Sequence, residues 1–272
     1  MSLNATFAGR QWFYSYKELP KIGSEEDWGK IADRLTQRYV GLAKQWDEEL
    51  NTQWTCRFFM AAKLIMSATL KINAADYAEE KNLRVVVPYL HYYAVFSLLR
   101  AVCYTLLECQ WDNGKLITIS HSGAIKGAMC HLSTINKDVA KIAREEIEQL
   151  KAQRELISYR APSSGDDQVL RCNRLLDLCS LLAELAQFNS ELMEKSLERH
   201  SNPVAFKLLE ECVYQIANVT INNHTFSDRE DAYRLGYFMR KQPLLANLQS
   251  MMTEGHVDDF FGAWAAEQDN PD

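Results

Sequence analysis

Pro88-Tyr-Leu-His-Tyr-Tyr-Ala-Val-Phe-Ser-Leu-Leu-Arg-Ala-Val-Cys-Tyr-Thr-Leu-Leu107 is the stretch on which the fold turns. Within it Tyr89, Tyr92, Tyr93, Phe96, Leu99, Cys103, Leu106 and Leu107 recur at helical spacing. Pro88 suits the first turn of such a helix, where its missing N–H costs nothing. The wider run from Val85 to Leu107 is nearly all apolar and long enough to cross a bilayer. Pro88, His91, Ser97 and Arg100 interrupt it, however, and an arginine at mid-span costs several kcal/mol in hydrocarbon. A central helix buried on most sides, in a soluble protein, is the better reading.

Working outward, helical patterns fill most of the chain. Ser24 followed by Glu25, Glu26 and Asp27 is a helix start, with carboxylates at the positive end of the dipole. Trp28, Ile31, Leu35, Tyr39, Leu42 and Trp46 then share one face. A second helix is predicted from about Thr52 to Ile72, with Phe58, Phe59, Ala62, Ile65, Met66 and Leu70 inward, and Asn82 to Val87 is a connector. Ahead of these, Ala5 to Tyr16 is aromatic-rich and reads as a short strand or an arm packed on the bundle. Downstream, Asp112-Asn113-Gly114 is a turn and Ser120 to Leu132 a shorter helix.

A long amphipathic helix is predicted from Asp138 to Tyr159, with Val139, Ile142, Ala143, Ile147, Leu150 and Ile157 on its apolar stripe. Ala161-Pro162-Ser163-Ser164-Gly165 breaks it. Another helix runs from about Asp167 to Arg199 on Leu175, Leu178, Leu182, Leu185 and Leu192, and Asn202-Pro203 ends that unit. The tail, Val204 to Asp272, reads as three short helices with an Asn222-Asn223-His224 turn between the first two. The expected architecture is all-α: residues 1–87 an N-terminal arm and two helices, 88–200 a central bundle, 201–272 a C-terminal helical extension.

Composition narrows the function classes. Apolar residues are 47% and charged residues 24% of the 272, ordinary globular values. A net charge of −6 disfavours broad nucleic-acid binding and leaves room only for a local basic patch. Seven cysteines, odd in number and irregular in spacing, point to reduced thiols in a cytoplasmic protein. Gly123 and Gly127 lack the lysine and strand of a phosphate loop, and there is no HExxH, CxxC pair, calcium loop or Gly-x-Ser-x-Gly elbow. No metal ligand set, cofactor or catalytic residue is therefore expected. Glu145, Glu146 and Glu148 read as a solvated face. His121 and His131, ten positions apart, fall on different faces of one helix.

One constellation stands out. Arg154 follows Leu150 by four residues and Ile147 by seven, so it lies on the apolar stripe. A guanidinium there either snorkels at the bundle edge or points into a cleft shared with another helix. Tyr159 and Arg160 close the same helix.

Residues 88–199 resemble the HEPN superfamily, helical bundles named for nucleotide binding in prokaryotes and higher eukaryotes. Tyr92-Tyr93-Ala94-Val95-Phe96 with Arg100-Ala101 resembles the aromatic first helix of many members. Ser120-His121-Ser122-Gly123-Ala124-Ile125 resembles the start of the next helix, and Leu150 to Tyr159 the segment that carries the family's arginine. In the ribonuclease members a catalytic histidine follows that arginine after four to six residues. Here position 159 is tyrosine and residues 160–165 contain no histidine. The resemblance thus implies an up-and-down bundle, homodimerisation, a place in toxin–antitoxin, phage-defence or RNA-associated systems, and loss of the metal-free nuclease centre.

Three functions follow from these readings. The first is a non-catalytic interaction module binding a protein or RNA-related partner. The second is an atypical ribonuclease using Arg154, with Arg160 and His121. The third is a small-ligand sensor with a pocket lined by Tyr92, Tyr93, Phe96 and Arg100. The candidate ligand or interface residues are Arg154, Tyr159, Arg160, His121, Arg100 and Tyr93.

Overall fold

Ser24 opens the first helix by the chemistry its neighbours predict. In the computed structural model, which describes residues 16–110, 119–161, 174–201, 216–241 and 245–262, the Ser24 hydroxyl accepts from the Asp27 N–H while the Asp27 carboxylate accepts from the Ser24 N–H. This capping box starts α1, Glu25–Ala43. Trp28, Ile31, Leu35 and Tyr39 are buried along it, and Trp46 is buried just past its end.

Asp47 caps α2, Glu48–Glu80, which runs well beyond the expected Thr52 to Ile72. The added turns are built from Ala74, Ala75, Ala78, Glu79 and Glu80, strong helix formers whose mixed polarity hides the periodic signal. Asn82, in a left-handed conformation with φ 58°, ends the run. A short 3₁₀ turn then leads into α3, Val87–Tyr104, with Pro88 in its first turn.

Helix α3 is the centre of the bundle. It packs on α2, on α4 (His121–Ile135), on α5 (Lys137–Arg160) and on α6 (Leu175–His200). Accordingly Tyr92, Ala94, Val95, Leu98, Leu99, Ala101, Val102, Cys103 and Tyr104 are all buried. Two helical stretches, Glu48–Glu80 and Arg84–Tyr104, are long and apolar enough to cross a bilayer, but 44% and 61% of their apolar windows are buried inside the protein. Only the second of these reads as a candidate span in the sequence; α2 passes the same length and composition test.

Helix α4 is capped by the Ser120 hydroxyl, which accepts from the Gly123 N–H. Helix α5 is capped by Asn136 and begins at Lys137, one residue before the expected start at Asp138. Its buried face is Ala140, Ala143, Ile147, Leu150, Gln153 and Arg154. Ile142 was expected on that stripe and is exposed instead, because it stands one residue, about 100° of helix, from Ala143. The buried spacing from Ala140 through Arg154 is a cleaner 3-4 alternation than the expected one.

The expected all-α class holds, but the C-terminal part carries a small hairpin where only helices were expected. Asn218–Ile221 (β1) and His224–Ser227 (β2) pair antiparallel, with Val219 opposite Phe226 and Thr220 opposite Thr225. The expected Asn222-Asn223 turn is present, both residues at positive φ, and it joins strands rather than helices. Asparagine tolerates that conformation, and β-branched flanks favour extended chain. Three helices follow: α7 (Arg229–Lys241), α8 (Leu248–Met251) and α9 (Glu254–Gly262). Among the described residues the protein is therefore predominantly α-helical, with nine α-helices and one small two-stranded sheet. A continuous cluster of buried apolar residues runs from Tyr16 to Met251 and draws on all three expected segments. The expected arm over Ala5 to Tyr16 (apart from Tyr16), the Asp112-Asn113-Gly114 turn, the Pro162–Gly165 break, the first turns of the Asp167 helix, Asn202-Pro203 and the first tail helix lie outside the described residues.

Candidate polar and aromatic site at the α3–α4–α5 junction

Helix periodicity on α3 sets Tyr89, Tyr92, Tyr93, Phe96 and Arg100 on neighbouring turns, and the capped start of α4 lays His121 against them. The His121 ring stacks on Phe96, with centroids 4.0 Å apart and planes 7° off parallel. It lies 5.5 Å from Tyr92, stacked, and 6.0 Å from Tyr93, edge on. The Tyr92 hydroxyl and His121 Nδ1 are 2.5 Å apart. From the other side, the end of α5 brings Arg154 to the same tyrosine, its guanidinium carbon 5.1 Å from the Tyr92 ring centre.

Against the opposing effect of burial, the hydroxyls of Tyr159 and Tyr92 lie close enough to the Arg154 guanidinium to raise its pKa. The Tyr92 hydroxyl and His121 Nδ1 share one proton-bearing contact, with either atom able to donate according to the imidazole tautomer. Burial first, and next the positive charges of Arg154, Lys151 and Arg100, push the His121 pKa below the ordinary histidine value. At neutral pH His121 is thus an uncharged N–H donor beside three cations. Lys71 extends the positive line: its ammonium bonds the hydroxyls of Ser67 and Ser97, and burial followed by Arg100 lowers its pKa.

The carboxylates nearby are few and outward. Glu155 lies 3.7 Å from Arg154 and Glu148 3.6 Å from Lys151. Arg154 itself is only 9% exposed, whereas Tyr159 is 75% exposed and Tyr89 41%. The junction is a local basic patch, rimmed by open aromatic rings, on a chain of net charge −6.

Of the six candidate residues, Arg154, His121, Arg100 and Tyr93 come together here, and Tyr159 joins them through Arg154. Arg160 is exposed at the end of α5, with no contact to the cluster among the described interactions. Tyr92, Tyr93 and Phe96 fill one another's surroundings with ring contacts. A cavity of about 560 Å³ lies elsewhere, between α2 and the C-terminal helices, beside Lys63, Asp231, Arg234 and His256. Sequence reading missed Lys71 and Lys151. Lys151 had a signal, since it precedes Arg154 by three residues and so shares its face; Lys71 lies on a different helix and had none.

His131, at the far end of α4, differs in every respect. It is buried, its Nε2 lies 3.0 Å from the Asn189 side-chain oxygen, and Asn189 in turn donates to the Thr105 hydroxyl at 3.0 Å. Burial lowers its pKa to about 4. No family model, curated protein or solved structure matches the chain.

Proposed function

We propose that the chain is a non-catalytic, HEPN-like interaction module that binds single-stranded RNA at the α3–α4–α5 junction, acting in the cytoplasm in a toxin–antitoxin or phage-defence setting. The observation that carries this reading is the convergence of His121 and Arg154 on Tyr92. It presents a neutral N–H donor and the cations Arg154, Lys151 and Arg100 around one spot. Such an array suits the oxygens of a phosphodiester. Tyr89 and Tyr159, exposed beside those cations, suit base stacking, the sequence-tolerant half of single-strand recognition.

Binding rather than cleavage is favoured by the imidazole. Attack by a ribose hydroxyl needs a base, and Nδ1 of His121 is already engaged with the Tyr92 hydroxyl 2.5 Å away. The atypical ribonuclease is the competing outcome. The test is fluorescence anisotropy and gel analysis of a labelled single-stranded RNA with wild type, Arg154→Ala and His121→Ala. Expected is binding without cleavage, roughly tenfold weaker for Arg154→Ala. Salt should weaken it with a slope of roughly −2, the value for about three neutralised phosphates. No binding at low salt ends the proposal, and cleavage lost in His121→Ala replaces it with the nuclease.

A further inference from the structure

A second pair of side chains, away from this junction, carries a different chemistry. Cys103 closes the last turn of α3 and is fully buried, while Cys109, six residues on, is half-exposed. Both sulfurs converge on Gly127 of α4, near enough to each other that each shifts the other's pKa. A β-carbon there would sit 3.1 Å from the Cys103 sulfur and 3.7 Å from that of Cys109. Glycine at this position leaves the two sulfurs room to meet.

The surroundings make the two thiols unequal. Arg57 of α2 is buried, stacks 3.8 Å over Trp54, and donates from Nε to the Tyr104 carbonyl at 2.8 Å, with Nη2 reaching the Cys103 and Leu106 carbonyls. It satisfies the open carbonyls at the end of α3 and sets a cation beside Cys109. The neighbouring Cys103 thiol together with Arg57, against the opposing effect of burial, lowers the Cys109 pKa to about 7. Cys109 in turn, then burial, pushes the Cys103 thiol well above its ordinary value. An accessible thiolate beside a cation, with a second thiol in contact, is the arrangement of an oxidisable pair.

We propose that Cys103 and Cys109 form a redox modification site that a hydroperoxide converts to an intramolecular disulfide. The Cys109 thiolate attacks one peroxide oxygen; the O–O bond breaks and the departing hydroxide takes a proton to leave as water. The product is a Cys109 sulfenic acid. The Cys103 sulfur, giving up its proton, attacks the Cys109 sulfur; the S–S bond forms, the S–O bond breaks, and a second water leaves. Two thiols and one hydrogen peroxide yield one disulfide and two waters. The bond ties the last turn of α3 to the segment that leaves it.

The sequence makes the test direct, because both cysteines fall in one tryptic peptide, Ala101–Lys115. The full chain is treated with hydrogen peroxide, alkylated with iodoacetamide, digested and weighed. Expected is an Ala101–Lys115 peptide lighter by two hydrogens and unalkylated, at a peroxide dose that leaves the exposed Cys130 alkylatable. Dithiothreitol should restore two alkylation sites. In Cys109→Ser the closed peptide should vanish and Cys103 should stay reduced. Cys109 is half-exposed, so this variant keeps the test open should Cys103→Ser fail to fold. Recovery of the wild-type peptide with both thiols alkylated, with Cys109 as sulfinic acid, or joined to another cysteine peptide overturns the proposal.

Discussion

The two ends of α4 each carry a histidine against an aromatic or polar partner, and they have opposite fates. At the start, His121 is half-buried, stacked on Phe96, and set among the cations Arg154, Lys151 and Arg100. Ten residues on, His131 is enclosed and held in a chain of neutral hydrogen bonds through Asn189 to Thr105. In both the imidazole is held neutral, at His131 chiefly by desolvation and at His121 by desolvation aided by nearby positive charge. The His131 arrangement is complete without a ligand and knits three helices together. The His121 arrangement sets a half-buried ring among the cations Arg154, Lys151 and Arg100, which is what a recognition site for an anion requires. Depressed histidine pKa values alone therefore do not mark function; what separates the two is whether cations or neutral hydrogen-bond partners surround the ring.

The largest effect expected from breaking this contrast is acid lability from His131. Its pKa is about 4 in the folded chain against 6.5 in the unfolded one, so the unfolded state binds the proton more tightly. The stabilisation is fully present above pH 6.5 and is lost as pH falls toward 4, a total of about 3 kcal/mol. Urea melts at a series of pH values should show that decline, and His131→Gln should flatten it. An equally steep decline in the variant would mean that other groups control acid stability.

Next in size is Asn189→Ala, which strands the His131 ring nitrogen in the core and removes the donor to the Thr105 hydroxyl. A loss of about 2 kcal/mol is expected at pH 7, read from the urea midpoint at unchanged slope. A loss under about half that would mean the buried chain tolerates a missing link, and the contrast with the His121 end would narrow.

Smallest in stability, and most diagnostic, is Arg154→Ala. Its nearest carboxylate, Glu155, is 3.7 Å away and 46% exposed, so no buried anion is left behind. The melting temperature should stay within about 3 °C of wild type. In the same variant an NMR titration should find the His121 pKa moved up toward the ordinary value, since one of the cations that depresses it is gone. An unmoved His121 titration would detach Arg154 from the cluster. A drop of many degrees would make Arg154 a structural brace instead.

Much of the frame was legible in the sequence because the information is local. Ser24 and Ser120 cap their helices with neighbours three residues away, Pro88 sits in a first turn, and the spacing of Ile147, Leu150 and Arg154 puts the arginine on the buried stripe. His121, Arg100, Arg154 and Tyr93 could be singled out as unusual in their helices for the same reason. Where local signals were mixed, the reading failed: the second helix was expected to end at about Ile72, short of its Ala- and Glu-rich last turns, Ile142 looked buried, and the β1–β2 flanks looked helical.

What only the tertiary structure decided is which of these residues meet. Tyr92 and His121 are 29 positions apart and His131 and Asn189 are 58 apart, and no periodicity predicts either contact. Helix caps and amphipathic stripes act within one or two turns, so a single sequence encodes them in readable form. Burial, protonation and the pairing of Cys103 with Cys109 over Gly127 depend on how helices dock, and docking is set by the summed shape of many side chains.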